Sequence, residues 1–179
     1  RLVEEMNRVG MVVDGTHCGY RSSMEMMEMS TAPAMFSHSN AMAIHKHARN
    51  LHDDQIKAAA KTGGLIGVNG VGHFLAADMI ATPEVWVRHV DYIAELVGPE
   101  HVAIGLDNVY YLEQQHARRQ ASPDMYPEGY PPPDWTGSYM GPADYPLLVQ
   151  QLVDHGYSDA DIRGILGENV LRVMRAVWK

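Results

Sequence analysis

The sequence predicts an α/β fold built on parallel strands. Three observations carry that expectation: four short, near-continuous apolar runs, as strands buried on both faces require, helical stretches between them, and alternation of the two along the chain. The runs are Met11-Val12-Val13, Pro33-Ala34-Met35-Phe36, Leu65-Ile66-Gly67-Val68 and Val102-Ala103-Ile104-Gly105-Leu106. Ahead of the first, Leu2, Val3, Met6 and Val9 recur at helical spacing and stop at Gly10, a glycine C-cap. Further helices are expected over 22–29, over 53–61 with Gly63-Gly64 closing it, and over 83–97. In the last of these Thr82 is the N-cap, Pro83 takes the first helical position and Gly98 ends the helix. From about 112 to 142 the composition shifts to Pro, Gly, Tyr and Arg, with Pro131-Pro132-Pro133, and no periodicity survives. That segment reads as a long loop on the face where the strands end, and such loops serve as lids, binding loops or disordered linkers. Helices return over 144–155 and 158–179, the second opened by Ser158-x-x-Asp161 and broken near Gly167.

The chain has 179 residues, 46% of them hydrophobic, which suits one domain. It falls short of the roughly 250 residues of a complete eight-stranded barrel. Fourteen Lys and Arg against 22 Asp and Glu give a net charge of −8 without a basic run, which argues against nucleic acid or an anionic membrane surface as partner. No stretch reaches the ~18 apolar residues of a membrane span. Arg1-Leu2-Val3-Glu4-Glu5 is not a signal peptide, so the expected compartment is the cytoplasm. A lone Cys18 excludes an internal disulfide and a Cys-only zinc site. Histidine is the unusual count, at ten.

Chemistry-bearing residues follow each apolar run: Asp14 and His17, then Ser37 and His38, then Asn69, then Asp107. In a parallel α/β barrel these strand ends open on one face, so residues 17, 38, 69 and 107 converge on one site. Two imidazoles and a carboxylate suit zinc. A single strand-end histidine is ordinarily a hydrogen-bonded structural residue; its recurrence with Asp107 favours the metal reading. Asp14 reads either as an orienting partner for an imidazole or as a strand-end cap.

These residues resemble the membrane (renal) dipeptidases of the amidohydrolase-like metal-dependent barrels. Val13-Asp14-Gly15-Thr16-His17, Met35-Phe36-Ser37-His38-Ser39-Asn40-Ala41 and Arg49-Asn50-Leu51 with Asp53-Asp54-Gln55 are similar to family segments in the family's order. His89-Val90-Asp91-Tyr92-Ile93, Gly105-Leu106-Asp107 and Leu166-Gly167-Glu168-Asn169-Val170-Leu171-Arg172-Val173 continue the series. The resemblance implies a (β/α)8 TIM-type barrel of which residues 1–179 are the C-terminal part, strands five to eight plus the closing helices. It implies a dipeptidase using two zinc ions, one of them held by His17 and His38. Arg49 would take the substrate's terminal carboxylate, for which a guanidinium fork suits better than an ammonium. Asp107 would act as the catalytic and substrate-binding carboxylate, shuttling a proton near the substrate's amino end.

The sequence departs from the family pattern in two places. A His-x-Asp pair, a metal-bridging glutamate and a substrate-contacting histidine are all expected upstream of the first helix, so the chain reads as part of a longer enzyme and is expected to be inactive alone. The usual Asp-Phe-Asp-Gly is here Asp107-Asn108-Val109-Tyr110, which alters the pocket wall. The partner expected is a dipeptide or small amide, with a second copy of the chain as a candidate. Rival readings are another amide hydrolase on the same scaffold, or an inactive half-barrel with an interaction role.

Other residues carry weaker signals. His45, His47 and His52 flank Arg49 and read as solvated. His89 lies in a helix and reads as packed or hydrogen-bonded. Gly67-x-x-Gly70-x-Gly72 reverses the dinucleotide-loop spacing and is set aside. Met24, Met26, Met27 and Met29 read as packing. Tyr126, Tyr130, Trp135 and Tyr139 either wall a pocket or pin the long loop.

Overall fold

The computed structural model describes residues 1–125 and 137–179. Helix α1 (Leu2–Val9) leads through Gly10, whose φ of 78° is the left-handed cap expected of glycine, into β1 (Val13–Asp14). Then follow α2 (Tyr20–Met29), β2 (Ala34–Phe36), α3 (Asp53–Lys61), β3 (Leu65–Val68), a one-turn α4 (Gly72–Leu75), α5 (Pro83–Val97) and β4 (Val102–Ile104). The four strands form one parallel sheet in the order β1-β2-β3-β4, with Val13 beside Ala34, Met35 beside Leu65 and Ile66 beside Val102. Parallel neighbours need a crossover, and α2, α3 and α5 supply them.

Local chemistry sets the helix ends. Thr82 Oγ1 accepts from the Val85 N–H at 3.3 Å with Pro83 inside the first turn, and the Gln55 side chain accepts from the His52 N–H at 3.0 Å at the head of α3. Side chains alternate across the strands as the pleat requires. Ala34, Phe36, Ile66, Val68 and Val102 enter one core with Trp86, Val87, Val90 and Ile93 of α5. Leu65 and Ala103 face the opposite way, onto Val173 and Val177 of α9 (Asn169–Val177). Two further glycines on that second side are required by space: a Cβ on Gly67 or on Gly105 would stand 2.1 Å from the Ser37 carbonyl oxygen.

Several expectations are revised. Residues 112–121 are helix α6 (Leu112–Ala121), not loop. Leu-Glu-Gln-Gln-His-Ala-Arg-Arg-Gln-Ala is rich in strong helix formers but has no apolar stripe, so a search for periodicity passes over it. A 3-10 turn covers Pro123–Met125. Pro131-Pro132-Pro133, Tyr126, Tyr130 and Trp135 lie outside the described residues. Tyr139 forms an antiparallel bridge with Val71, and Gly72 N–H donates to the Ser138 carbonyl at 2.8 Å, so the returning chain is tied to the end of β3. Met11 is 55% exposed rather than buried, because among the described residues β1 has a strand neighbour on one side only.

The closing region is α7 (Tyr145–Asp154), α8 (Asp159–Arg163), a π-helical turn over Gly164–Glu168, and α9. The break falls at Gly167, as the sequence suggests. Among the described residues no helix is long and apolar enough to cross a membrane.

Candidate functional site

Each strand delivers its polar residues at its C-terminal end or within three residues beyond it. At the end of β1, Asp14 is half-buried and accepts three hydrogen bonds: from Thr16 N–H at 2.9 Å, from Ser37 N–H at 3.1 Å and from Ser37 Oγ at 2.5 Å. Burial pushes its carboxyl pKa up, but the bonds from Ser37 and Thr16 outweigh that and leave it below the ordinary value. The carboxylate is therefore ionised at neutral pH and acts only as an acceptor. Gly15 lets the chain pass, since a Cβ there would meet the Phe36 ring at 2.7 Å.

His17 then takes a left-handed backbone with φ of 64°. Asp107, at the end of β4, does the same with φ of 57°. Such conformations cost a non-glycine residue roughly 1–2 kcal/mol and concentrate at functional positions. His38 follows β2, and its Nδ1 lies 2.8 Å from Ser37 Oγ. Because Ser37 already donates to Asp14, its oxygen is an acceptor toward His38, which fixes the imidazole with the proton on Nδ1 and a lone pair on Nε2. That Nε2 stands 2.9 Å from Nε2 of His17. Partial burial lowers the pKa of His17, the charges of Arg49 and His38 lower it further, and Asp107 and Asp14 oppose them. Two imidazole Nε2 atoms facing each other at 2.9 Å are of the donor type that zinc takes when the rings are neutral. Among the described residues no group of three or more His, Cys, Asp or Glu is assembled, so these residues bring together two candidate ligands rather than a closed site.

Three buried asparagines tie the remaining strand ends together. Asn40 accepts from the Asn69 N–H at 3.0 Å, Asn69 accepts from the Val71 N–H at 2.6 Å, and its Nδ2 donates to Asp107 at 3.3 Å. Asn50 Nδ2 donates to the carbonyls of His45 and Phe74, both at 2.8 Å. Past His38 the chain forms a loop closed by the parallel bridge between Ala41 and Leu51. This loop places an Arg49 Nη2 3.5 Å from His17 Nε2 and its guanidinium 5.3 Å over the Phe74 ring. Asp53 accepts from Tyr92 and Asp54 from Tyr20, so the two carboxylates that follow Arg49 closely in sequence have tyrosine partners.

A cavity of about 260 Å³ opens beside His17, lined also by Thr16, Cys18, Ser39, Arg49 and Asn50. Ser39 Oγ and Asn50 Oδ1 are buried without a hydrogen-bond partner among the described residues. His17, His38 and Arg49 are thus brought together, and Asp107, bonded to Asn69, is near enough for its charge to act on His17.

Two site neighbours escape sequence reasoning. His47 is half-buried rather than solvated, with Nε2 3.1 Å from Nε2 of His73. Phe74 owes its place under Arg49 to α4, a turn too short to show periodicity. His89 is buried as expected: its Nδ1 accepts from Ala41 N–H at 3.1 Å and its Nε2 donates to the Leu75 carbonyl at 3.0 Å, pinning both loops to α5.

Comparison with known proteins follows the same outline. A solved amidohydrolase from Pseudomonas aeruginosa superposes with a TM-score of 0.82 at 29% identity, over 99% of this chain and 55% of that one. A metallo peptidase from Rhodobacter sphaeroides, solved with a phosphinate mimic of the dipeptide L-Ala-D-Ala, superposes at 0.75 with 26% identity, over 99% and 46% of the two chains. Dipeptidase aclJ of Aspergillus oryzae is 31% identical over 97% of this chain and 36% of its own length. The chain spans about half the length of the curated relatives it matches. The family model for membrane dipeptidase, peptidase family M19, matches residues 1–110 and 134–179. Residues 13–17, 35–41, 49–55 and 166–173, which carry the motifs, all fall inside those matched spans, and the chain belongs to the membrane dipeptidase family, M19.

Proposed function

We propose that the chain forms the second half of a (β/α)8 barrel in a zinc-dependent dipeptidase, and that the first half of the barrel contributes the remaining metal ligands. The observation that carries the reading is the convergence of His17 Nε2 and His38 Nε2 at 2.9 Å with an Arg49 guanidinium nitrogen 3.5 Å away. His17 and His38, whose Nε2 atoms face each other, would hold one zinc. Zinc, when bound, supplies Lewis acidity and a water of lowered pKa. Arg49 receives the substrate's terminal carboxylate as a fork, with the Ser39 and Asn50 side of the adjoining cavity taking the C-terminal residue. Asp107, kept in place by Asn69, takes and returns a proton beside the substrate's amino end.

The test uses the full-length enzyme that carries this chain. Arg49→Lys keeps its zinc and raises KM, with a loss in kcat/KM of about 2–4 kcal/mol, because a point charge replaces a fork at a partly buried ion pair. Kinetics on a dipeptide and on its C-terminal amide read the role directly. Equal discrimination between the two substrates by wild type and Arg49→Lys would remove Arg49 from the carboxylate site.

A further inference from the structure

Arg49 sits on a loop, at the end of a side chain with four rotatable bonds, yet its proposed task requires a fixed fork. Its backbone N–H donates to Nδ1 of His47 at 3.1 Å, two residues back, as in an Asx turn made with an imidazole. A ring nitrogen that accepts from an N–H carries no proton, so the His47 proton is on Nε2. That nitrogen faces Nε2 of His73 at 3.1 Å, so His47 donates and His73 accepts. The same tautomer leaves His47 Nε2 without a lone pair for a cation. The pair is therefore a hydrogen bond between neutral imidazoles, unlike His17 and His38, where Ser37 frees an Nε2 lone pair.

The rings of His47 and His73 meet edge to face, with centroids 4.6 Å apart, and Phe74 packs 5.0 Å from His47. Phe74 also lies beneath the Arg49 guanidinium, where its ring face attracts the cation. It is held from behind by Asn50 and Asn40, which donate to its carbonyl at 2.8 and 3.3 Å. Backbone and head group of Arg49 are thus gripped separately, by His47 and by Phe74.

We infer that His47, tethered by His73, is the positioning residue that seats Arg49 for the substrate carboxylate, an inference that rests on the carboxylate role proposed above for Arg49. Its test compares His47→Asn, His47→Gln and His47→Ala with Arg49→Lys in the full-length enzyme. The Asn oxygen stands where Nδ1 stands and still accepts from the Arg49 N–H; Gln and Ala offer no acceptor there. For a dipeptide with a free carboxylate, His47→Gln and His47→Ala raise KM about tenfold, while His47→Asn stays within about twofold of wild type. Zinc content, kcat and KM for the C-terminally amidated substrate stay level in all three.

A fall in zinc content or a matching rise in KM for the amide would reduce His47 to a structural residue and overturn the inference. So would a His47→Gln variant that keeps wild-type discrimination while Arg49→Lys loses it. If Arg49→Lys itself keeps discrimination, the carboxylate reading of Arg49 falls, and this inference with it.

Discussion

Replacing Asp14 by Asn would change one charge and almost no volume, yet it should disable His38 as a ligand. In the native arrangement one Asp14 oxygen takes two backbone N–H groups, from Thr16 and Ser37, and the other takes the Ser37 hydroxyl. An Asn at this position must turn its carbonyl toward the two N–H groups, since its NH2 cannot face them. The NH2 is then directed at Ser37 Oγ and donates to it. The Ser37 hydrogen, no longer taken by Asp14, turns to Nδ1 of His38, 2.8 Å away, and favours the imidazole tautomer with its proton on Nε2. That nitrogen is the one aimed at the proposed metal. Partners of this kind change metal affinity by roughly 10–100-fold, or about 1.4–2.8 kcal/mol. The assay is zinc affinity of the full-length enzyme in competition with a chromophoric chelator, with thermal unfolding of the metal-free protein as the fold control. Zinc binding within about twofold of wild type, together with a lowered Tm of the metal-free protein, would refute the relay and leave Asp14 as a strand-end cap.

His89 and Gly67 provide two independent tests. Burial holds the His89 imidazole at a pKa of about 4, aided by the charges of His45 and Arg88 and opposed by its bond to the Leu75 carbonyl. The unfolded chain, with its histidine near 6.5, binds the proton first, so this contribution is complete above pH 6.5 and is lost as pH falls toward 4, by about 3 kcal/mol in all. Tm measured from pH 7 to pH 4 should fall more steeply in wild type than in His89→Gln, and parallel curves would exclude His89 as the source. Gly67→Ala puts a methyl 2.1 Å from the Ser37 carbonyl oxygen, where only backbone can yield. The expected cost is about 1–3 kcal/mol of stability by denaturant unfolding, with weakened zinc binding because Ser37 carries His38; a neutral substitution would show that β2 and β3 can part without disturbing the site.

Legibility in the sequence followed the range of the interaction involved. β3 over residues 65–68 and α5 over 83–97 were readable because apolar continuity, an N-cap threonine, Pro83 and a terminal glycine act within a few residues of one another. His17, His38 and Asp107 were readable as site candidates because a parallel sheet sends every strand end to one side, which makes position along each strand a guide to the site. α6 was not readable, since its residues favour helix without presenting an apolar face. The relay from Asp14 through Ser37 to His38 depends on a register that pairs Asp14 with Met35, set by the packing of both strands. The seat under Arg49 joins residues 47, 49, 73 and 74, which meet only because His89 and Asn50 pin two loops to one helix and to each other. Local patterning thus determined which elements form and which residues stand at their ends. Only tertiary packing decided the partnerships of Asp14 with Ser37, His17 with His38 and His47 with His73, because each joins residues more than 20 positions apart, a distance no periodicity records.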